Sequence, residues 1–330
     1  MNSFGIIFCI IILEYTVNAS TESSANISLN AHWGAALAAA RDAAGAQHYP
    51  AGTLYVVATP IGNLADISLR ALHVLSLVNA IACEDTRHTQ PLLRTYGIAV
   101  GADKPLLAVH EHNEAQAAEQ VIARLQQGQR VAFVSDAGTP AVSDPGARLV
   151  ALVRAAGLRV MPLPGASSVT TLLSVAGITQ DTGFHFIGFL PTKAMERETA
   201  VLKLQSLTGA LVLLEAPHRI EAVAKALAVL GERFITIGRE LTKQFEEIAT
   251  VPAAGFSDWL QADSNRTRGE FALVLHPMAQ ENKQDDAPRI LKLLLAELPL
   301  KTAVKLASDI TGAPRNALYE AALALKNRAE

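Results

Sequence analysis

Ser135-Asp136-Ala137-Gly138-Thr139-Pro140-Ala141-Val142-Ser143-Asp144-Pro145-Gly146 decides how the rest of the chain reads. The run Arg130–Val134 enters it as a buried strand, and Asp144-Pro145 leaves it in the pattern of a helix start. Asp144 can accept the first free N–H groups, and Pro145 at the first helical position has no N–H to leave unpaired. Leu149, Val150 and Val153 give that helix an apolar face, and Gly157 stands where a left-handed end residue is needed. A loop with an acid, a glycine and a proline at the carboxyl end of a strand is where open α/β sheets bind ligands. No Lys follows the glycine as in a Walker loop, and the spacing is not G-x-G-x-x-G. Taken alone, the loop fits either an ordinary Asp-capped turn or a seat for a ligand with an amine, hydroxyls or a positive centre.

The same pattern repeats on both sides. Toward the N-terminus, a strand expected over Thr53–Ala58 stops at Thr59-Pro60-Ile61-Gly62-Asn63, and Asp66 and Ser68 are expected to cap a helix carrying Leu69, Leu72 and Leu75. A short strand, Ala80–Cys83, ends at Glu84-Asp85-Thr86-Arg87. Those acids and the Arg either hold a polar substrate or form a solvated turn in which Arg87 pairs with Glu84. Leu106–Val109 is a further strand, and Ala115–Gln127 a helix closed by Gly128. Toward the C-terminus, the strand Leu158–Leu163 ends at Pro164-Gly165-Ala166-Ser167-Ser168 and opens the apolar helix Val169–Ala176. Alternating strands and helices imply a parallel sheet with right-handed crossovers. On one sheet, the three glycine loops after Pro60, Asp136 and Pro164 share one rim.

The second half starts strands at Phe184, Ala210, Phe234 and Gly269 without a regular helical return, so a mixed sheet is expected. A polar linker, Gln280–Ala287, leads to three short helices, Arg289–Glu297, Thr302–Thr311 and Pro314–Asn327. Thr311-Gly312-Ala313-Pro314 has the spacing of a helix-turn-helix turn. That tail reads equally as a nucleic-acid module or as a packing appendage. The expected organisation is an extension over 1–50 outside the fold, α/β domains over 51–164 and 165–280, and a helical domain over 285–330.

Composition sets the outer limits. Half of the 330 residues are apolar and 18% are charged, enough for a large core. Aromatics at 5% argue against a surface that stacks many bases, and a net charge of −3 provides no global field for nucleic acid, so any RNA contact must be local. Cys9 and Cys83 make no disulfide framework, and the histidines show no H-x-x-x-H pairing, so no structural metal is expected. Phe4–Leu13 is apolar but too short to span a bilayer. Followed by Val17-Asn18-Ala19 it fits a signal peptide, yet no Lys or Arg precedes Arg41, and an extension from an upstream start fits better.

Eight loops then occur in a telling order: Thr59-Pro60-Ile61-Gly62-Asn63-Leu64, Cys83-Glu84-Asp85-Thr86-Arg87, the Ser135–Gly146 loop, Pro164-Gly165-Ala166-Ser167, Gly188-Phe189-Leu190-Pro191, Glu215-Ala216-Pro217-His218-Arg219, Arg239-Glu240-Leu241-Thr242-Lys243 and Gly269-Glu270-Phe271. Each is weak alone. Together, from about Gly52 to the end, they resemble the ribosomal RNA small subunit methyltransferase I family of the tetrapyrrole methylase superfamily. The resemblance implies two α/β domains with S-adenosyl-L-methionine in the cleft between them. It implies methyl transfer to the ribose 2′-hydroxyl of a decoding-centre cytidine in 16S rRNA of the small ribosomal subunit, a homodimer and a cytoplasmic setting, with no membrane and no metal.

It also places the cofactor against Pro60, Gly62 and Asn63; Asp136, Ala137, Gly138, Thr139 and Pro140; Ala166 and Ser167; and Pro217, His218 and Arg219. The family commonly has Pro-Gly-Pro-Ser where this chain has Pro164-Gly165-Ala166-Ser167, which relaxes the turn but leaves its backbone groups available. Candidates for a base or orienting group are Glu84, Asp85, Glu215, Glu240 and Lys243, the last as a base only if burial or a nearby cation lowers its pKa. Arg87, Arg219, Arg239 and Lys243 either hold RNA phosphates or serve as ion-pair partners. Two other functions compete: methylation of a tetrapyrrole precursor on the same fold, and a non-enzymatic RNA-binding assembly factor.

Overall fold

The computed structural model describes residues 29–110, 113–143, 146–179, 183–278 and 287–327. The apolar run Phe4–Leu13 and the Asp144-Pro145 cap lie outside the described residues.

The first lobe is a parallel sheet in the order β3-β2-β4-β1-β5, with β1 Thr53–Val57, β2 Ala80–Cys83, β3 Leu106–Ala108, β4 Val131–Val134 and β5 Arg159–Leu163. β2 and β4 are buried throughout, as strands covered on both faces must be. Helices α2 (Leu69–Leu77) and α3 (Thr86–Thr95) lie on one face, with Leu72, Leu75 and Leu93 packed on Tyr55, Val57 and Ile81. Helices α4 (Glu114–Gln126) and α5 (Ala147–Ala155) lie on the other, with Val121, Leu125 and Leu149 packed on Leu54, Val131 and Phe133. Ser68 caps α2 as expected, its Oγ accepting the Ala71 N–H at 3.1 Å, whereas Asp66 sits in a 3₁₀ turn capped by Asn63.

Two expectations are corrected here. Residues 29–50 belong to the fold: helix α1 (Leu29–Ala44) packs on α2, Ala40 is fully buried, and Trp33 meets the Tyr96 ring edge-on at 4.7 Å. Ala-rich helices have little intrinsic signal for a docking face, so only the packing exposes it. Arg87 pairs with Asp85 (2.6 Å), not with Glu84, because Asp85 is the N-cap of α3, a helix not anticipated from the sequence.

The second lobe is a mixed sheet in the order β6-β7-β10-β8-β9, with β6 Phe184–Gly188, β7 Ala210–Glu215, β8 Phe234–Arg239, β9 Glu247–Pro252 and β10 Phe271–Leu275. Only β6 and β7 pair in parallel; the other three pairings are antiparallel. β9 was not foreseen, since it is an edge strand that ends in Pro252 and buries no residue fully. One face carries α7 (Ala194–Leu204), α8 (Ile220–Leu227) and α9 (Phe256–Gln261). The other carries α6 (Ser168–Val175), whose Val169 and Leu172 pack on Val212, Leu214 and Val274, with Ile61 of the first lobe added at the edge.

Three helices complete the described chain: α10 (Ala287–Glu297), α11 (Leu300–Thr311) and α12 (Arg315–Asn327). They share their own core around Leu291, Val304, Ala307 and Leu318. Gly312 takes the left-handed conformation (φ 73°) that ends α11 and lets α12 turn back. Among the described residues, no helix is long and apolar enough to cross a membrane.

Candidate functional site

Strand order brings the three glycine loops together. β4, β1 and β5 are neighbours, so the loops at their carboxyl ends lie side by side. Thr59 and Gly138 exchange backbone hydrogen bonds of 2.9 and 3.0 Å, and the Thr139 hydroxyl donates to the Ala166 carbonyl at 3.0 Å. A Cβ on Gly165 would stand 2.7 Å from that of Ala58, so only glycine permits this approach.

Across from these loops stands the second lobe. Gly62 abuts the segment after β8: a Cβ there would meet Lys243 Cγ at 2.4 Å, Thr242 Oγ1 at 2.9 Å and the Leu241 carbonyl at 3.0 Å. That segment holds Glu240 and Thr242 at positive φ (53° and 66°), a costly conformation for residues with side chains. The Thr242 N–H donates to Glu246 at 2.6 Å, which helps to keep it there.

Between the lobes lies a cleft. The first lobe and the crossing into α6 contribute Ile61, Ala137, Gly138, Thr139, Val142, Ser143, Ser167, Ser168 and Val169. The second lobe contributes Phe189, Leu214, Glu215, Ala216, Pro217, Leu241, Glu270, Phe271 and Ala272. The wall is apolar, with backbone groups on one side and two carboxylates on the other.

Of the residues expected against a ligand, Ala137, Gly138, Thr139, Ser167 and Pro217 line this cleft, as does Glu215. The others stand behind the wall or outside it. Pro60 and Pro140 are buried, and His218 is exposed. Asn63 caps its 3₁₀ turn by accepting the Ala65 N–H, and Ala166 uses its carbonyl on Thr139. Gly62 seats the second lobe. The carboxylate of Asp136 turns to the first lobe, with Oδ2 at 2.9 Å from His88 Nδ1 and Oδ1 accepting the Asp85 N–H at 3.3 Å.

Glu215 is 3% exposed, and burial pushes its carboxyl above the usual range despite the Ala216 N–H and the Arg219 and Arg197 guanidinium groups. Its Oε1 accepts the Ala216 N–H and lies 3.1 Å from Arg219 Nε, while Oε2 is buried with no hydrogen-bond partner among the described residues. A buried acceptor of this kind can take a donor from a bound molecule or from water. Glu270 also faces the cleft, its carboxyl raised by burial and pulled back by Lys243.

The charged candidates sort by what they touch. Lys243 Nζ sits 2.9 Å from Glu240 and 3.0 Å from Glu270. Burial draws its pKa down, but the two carboxylates outweigh that and leave it raised, so the condition for Lys243 as a base is not met. Glu240 is occupied by Lys243 and by the Glu270 N–H. The Arg87 guanidinium beside Asp85 holds that carboxyl down at about 2. Glu84 is half-buried at the end of β2.

Of the two roles open to Arg219 and Arg239, the structure gives both the ion-pair one. Arg239, 8% exposed, is taken up by Glu247 and by the carbonyls of Arg268 and Phe245. Arg219 is held inside by Glu215 and the Leu190 carbonyl. A cation at the carboxyl end of a strand is drawn inward when a buried acid and free carbonyls await it. Arg87, with a side chain 87% exposed, does face solvent.

Sequence reasoning passed over Glu270 and His88 as candidates. Glu270 stands inside the quoted Gly269-Glu270-Phe271, and His88 directly follows Cys83–Arg87, so adjacency to a loop motif was the available signal.

This geometry, two α/β lobes closing on a loop-lined cleft, belongs to a recognised class. Residues 53–256 match the family of tetrapyrrole (corrin/porphyrin) methylases, and the chain belongs to that family. Residues 281–326 match the RsmI C-terminal HTH domain. The chain is 48% identical over 276 residues to ribosomal RNA small subunit methyltransferase I of Escherichia coli, covering 82% of this chain and 95% of that protein. It is 48% identical over 279 residues to the protein of the same name from Pseudomonas aeruginosa, covering 83% and 97%. Among solved structures, diphthine synthase superposes with a TM-score of 0.52 at 14% identity, over 68% of this chain and 90% of that one, a likeness of fold.

Proposed function

We propose that this protein is an S-adenosyl-L-methionine-dependent methyltransferase of ribosomal RNA. On this reading it modifies the ribose 2′-hydroxyl of a cytidine in the decoding centre of 16S rRNA, works in the cytoplasm and acts as a homodimer on the small ribosomal subunit. The similarity to the named rRNA methyltransferases across more than four-fifths of the chain supports the substrate class. The observation that carries the site is the unpartnered Glu215 Oε2 in an apolar cleft shared by both lobes.

The cleft fits such a cofactor. A ligand with a positive centre, an amino group and ribose hydroxyls complements two carboxylates, Glu215 and Glu270, and the backbone of Ala137–Thr139, Ser167 and Pro217. When bound, the cofactor would supply a methyl group activated on a sulfonium. The chain's own part is to orient and to exclude water. Ile61, Val142, Phe189 and Leu241 give the cleft apolar walls. Holding two reactants in line is worth on the order of 7–11 kcal/mol of barrier. Arg87 stands outside the cleft, where an RNA phosphate can reach it.

The test is incubation with labelled S-adenosylmethionine and small subunits that lack the modification, with a tetrapyrrole precursor as a second arm. Label in 16S rRNA at one cytidine ribose is expected. Label only in the tetrapyrrole would replace the substrate, and label in neither would defeat the methyltransferase reading.

A further inference from the structure

The Asp136–His88 pair lies behind the cleft lining, joined to it through the chain at Asp136-Ala137. Asp136 immediately precedes the cleft-lining Ala137, Gly138 and Thr139 at the end of β4. His88 lies in the first turn of α3, just past the end of β2, the strand beside β4. The carboxylate is gripped at both oxygens, by the Asp85 N–H and by His88 Nδ1, and its side chain is 10% exposed. A carboxylate only accepts, so Nδ1 carries the hydrogen, and in the neutral ring that leaves the lone pair on Nε2. Nε2 has no hydrogen bond among the described residues, and the imidazole is 34% exposed.

Resting on the methyltransferase reading, we infer that His88 accepts the proton of the substrate hydroxyl and that Asp136 is the positioning residue that holds its tautomer and aim. Two other acid–base candidates near the loops, Asp85 and Lys243, are engaged elsewhere. Asp85 is held strongly acidic by Arg87, and Lys243 is locked as an ammonium between two acids. Arg87, adjacent to His88 and open to solvent, supplies a phosphate contact next to the same hydroxyl. The step balances as follows. The hydroxyl oxygen bonds to the methyl carbon, and the carbon–sulfur bond breaks with its electron pair passing to sulfur. The proton moves to His88 Nε2, and the imidazolium, facing Asp136, later returns it to water. A base placed in this way contributes about 10²–10⁴-fold.

Three measurements on the full chain test this: methyl transfer to unmodified small subunits, calorimetric affinity for S-adenosylmethionine, and ¹⁵N NMR of the imidazole tautomers. His88→Gln is expected to lose about 10²–10⁴-fold in kcat with cofactor affinity within twofold of wild type. His88→Ala is expected to regain activity with added imidazole. The wild-type spectrum is expected to show His88 protonated at Nδ1 alone, a preference lost in Asp136→Asn. Turnover by His88→Gln within threefold of wild type would overturn the assignment while leaving the methyltransferase standing. A loss of cofactor affinity parallel to the loss of rate, without imidazole rescue, would overturn it too and make the pair structural. A wild-type protein that methylates neither substrate would remove the underlying reading itself.

Discussion

Glu114 Oε1 accepts the backbone N–H of Gly146 at 2.8 Å, and those of Arg148 and Leu149 at 3.2 and 3.3 Å. A carboxylate at the start of α4 thus caps α5, the helix that leaves the Ser135–Gly146 loop. It satisfies free N–H groups and meets the positive end of the helix. Glu114→Ala should lower stability by about 1–2 kcal/mol, read by thermal or urea unfolding. Glu114→Gln, which keeps an acceptor oxygen, should recover part of that. If Glu114→Ala left stability unchanged, the cap would be supplied from elsewhere.

Gly62 is the point where the lobes touch. Gly62→Ala places a methyl against Leu241–Lys243, and the Leu241 carbonyl is backbone that cannot swing aside. The expected cost is about 1–3 kcal/mol, and the lobes are expected to part enough to weaken cofactor affinity at least tenfold. Calorimetry beside an unfolding curve separates the two effects. Unaltered affinity would mean that the seam does not shape the cleft.

Lys243 holds two acids, Glu240 and Glu270, with all three side chains no more than a third exposed. Removing it as Lys243→Met leaves Glu270 buried beside a like charge, and its carboxyl, already raised by burial, rises further. The destabilisation should fall below the ~3–5 kcal/mol of fully buried pairs, because the Glu270 side chain is 33% exposed. A raised carboxylate pKa penalises the folded state as the pH climbs past the ordinary carboxylate value, and the penalty is complete above the folded pKa. The deficit of Lys243→Met should therefore be largest at neutral pH and shrink as the pH falls. A deficit independent of pH would argue for lost packing instead.

Asp85 gives the opposite sign. Its folded pKa, about 2, lies below the ordinary 3.8, chiefly through the hydrogen bonds of Arg87. Its contribution is complete above pH ~4 and disappears as the pH falls toward 2. Hydrogen exchange at the first turn of α3 should report this: protection in wild type should converge on that of Asp85→Ala across that window. The partner is fully solvated, so the effect is local and salt-sensitive.

Cys83 is fully buried, and burial pushes its thiol up to about 11. Alkylation of Cys83, followed by peptide mapping, should therefore track global unfolding. Rapid labelling of the native protein would contradict the packing of β2.

Much of the first lobe was legible because strand and helix signals there are local. Ser68 as a cap, Gly157 as a left-handed end and the strand ends at Thr59, Ser135 and Pro164 follow from residue chemistry over four or five positions. α3 escaped because Pro91 and a polar composition hide its period, and β9 because an edge strand buries too little to alternate. Which of their two roles Arg239 and Arg219 take was not legible, since sequence carries no record of the carbonyls waiting inside.

By itself, the sequence determined the alternation of elements, the glycines at strand ends, and the set of loop motifs. These depend on backbone sterics and hydrophobic periodicity within a few residues. Only the tertiary structure decided that β1 inserts between β4 and β5, that Glu114 caps α5, that Asp136 faces His88, and that Glu215 and Glu270 share one cleft. Such pairings join residues from 32 positions apart, Glu114 to Gly146, to 106 apart, Thr53 to Arg159. They exist because strand order, set by burial of whole faces, brings those positions together, and no local preference of the chain encodes that order.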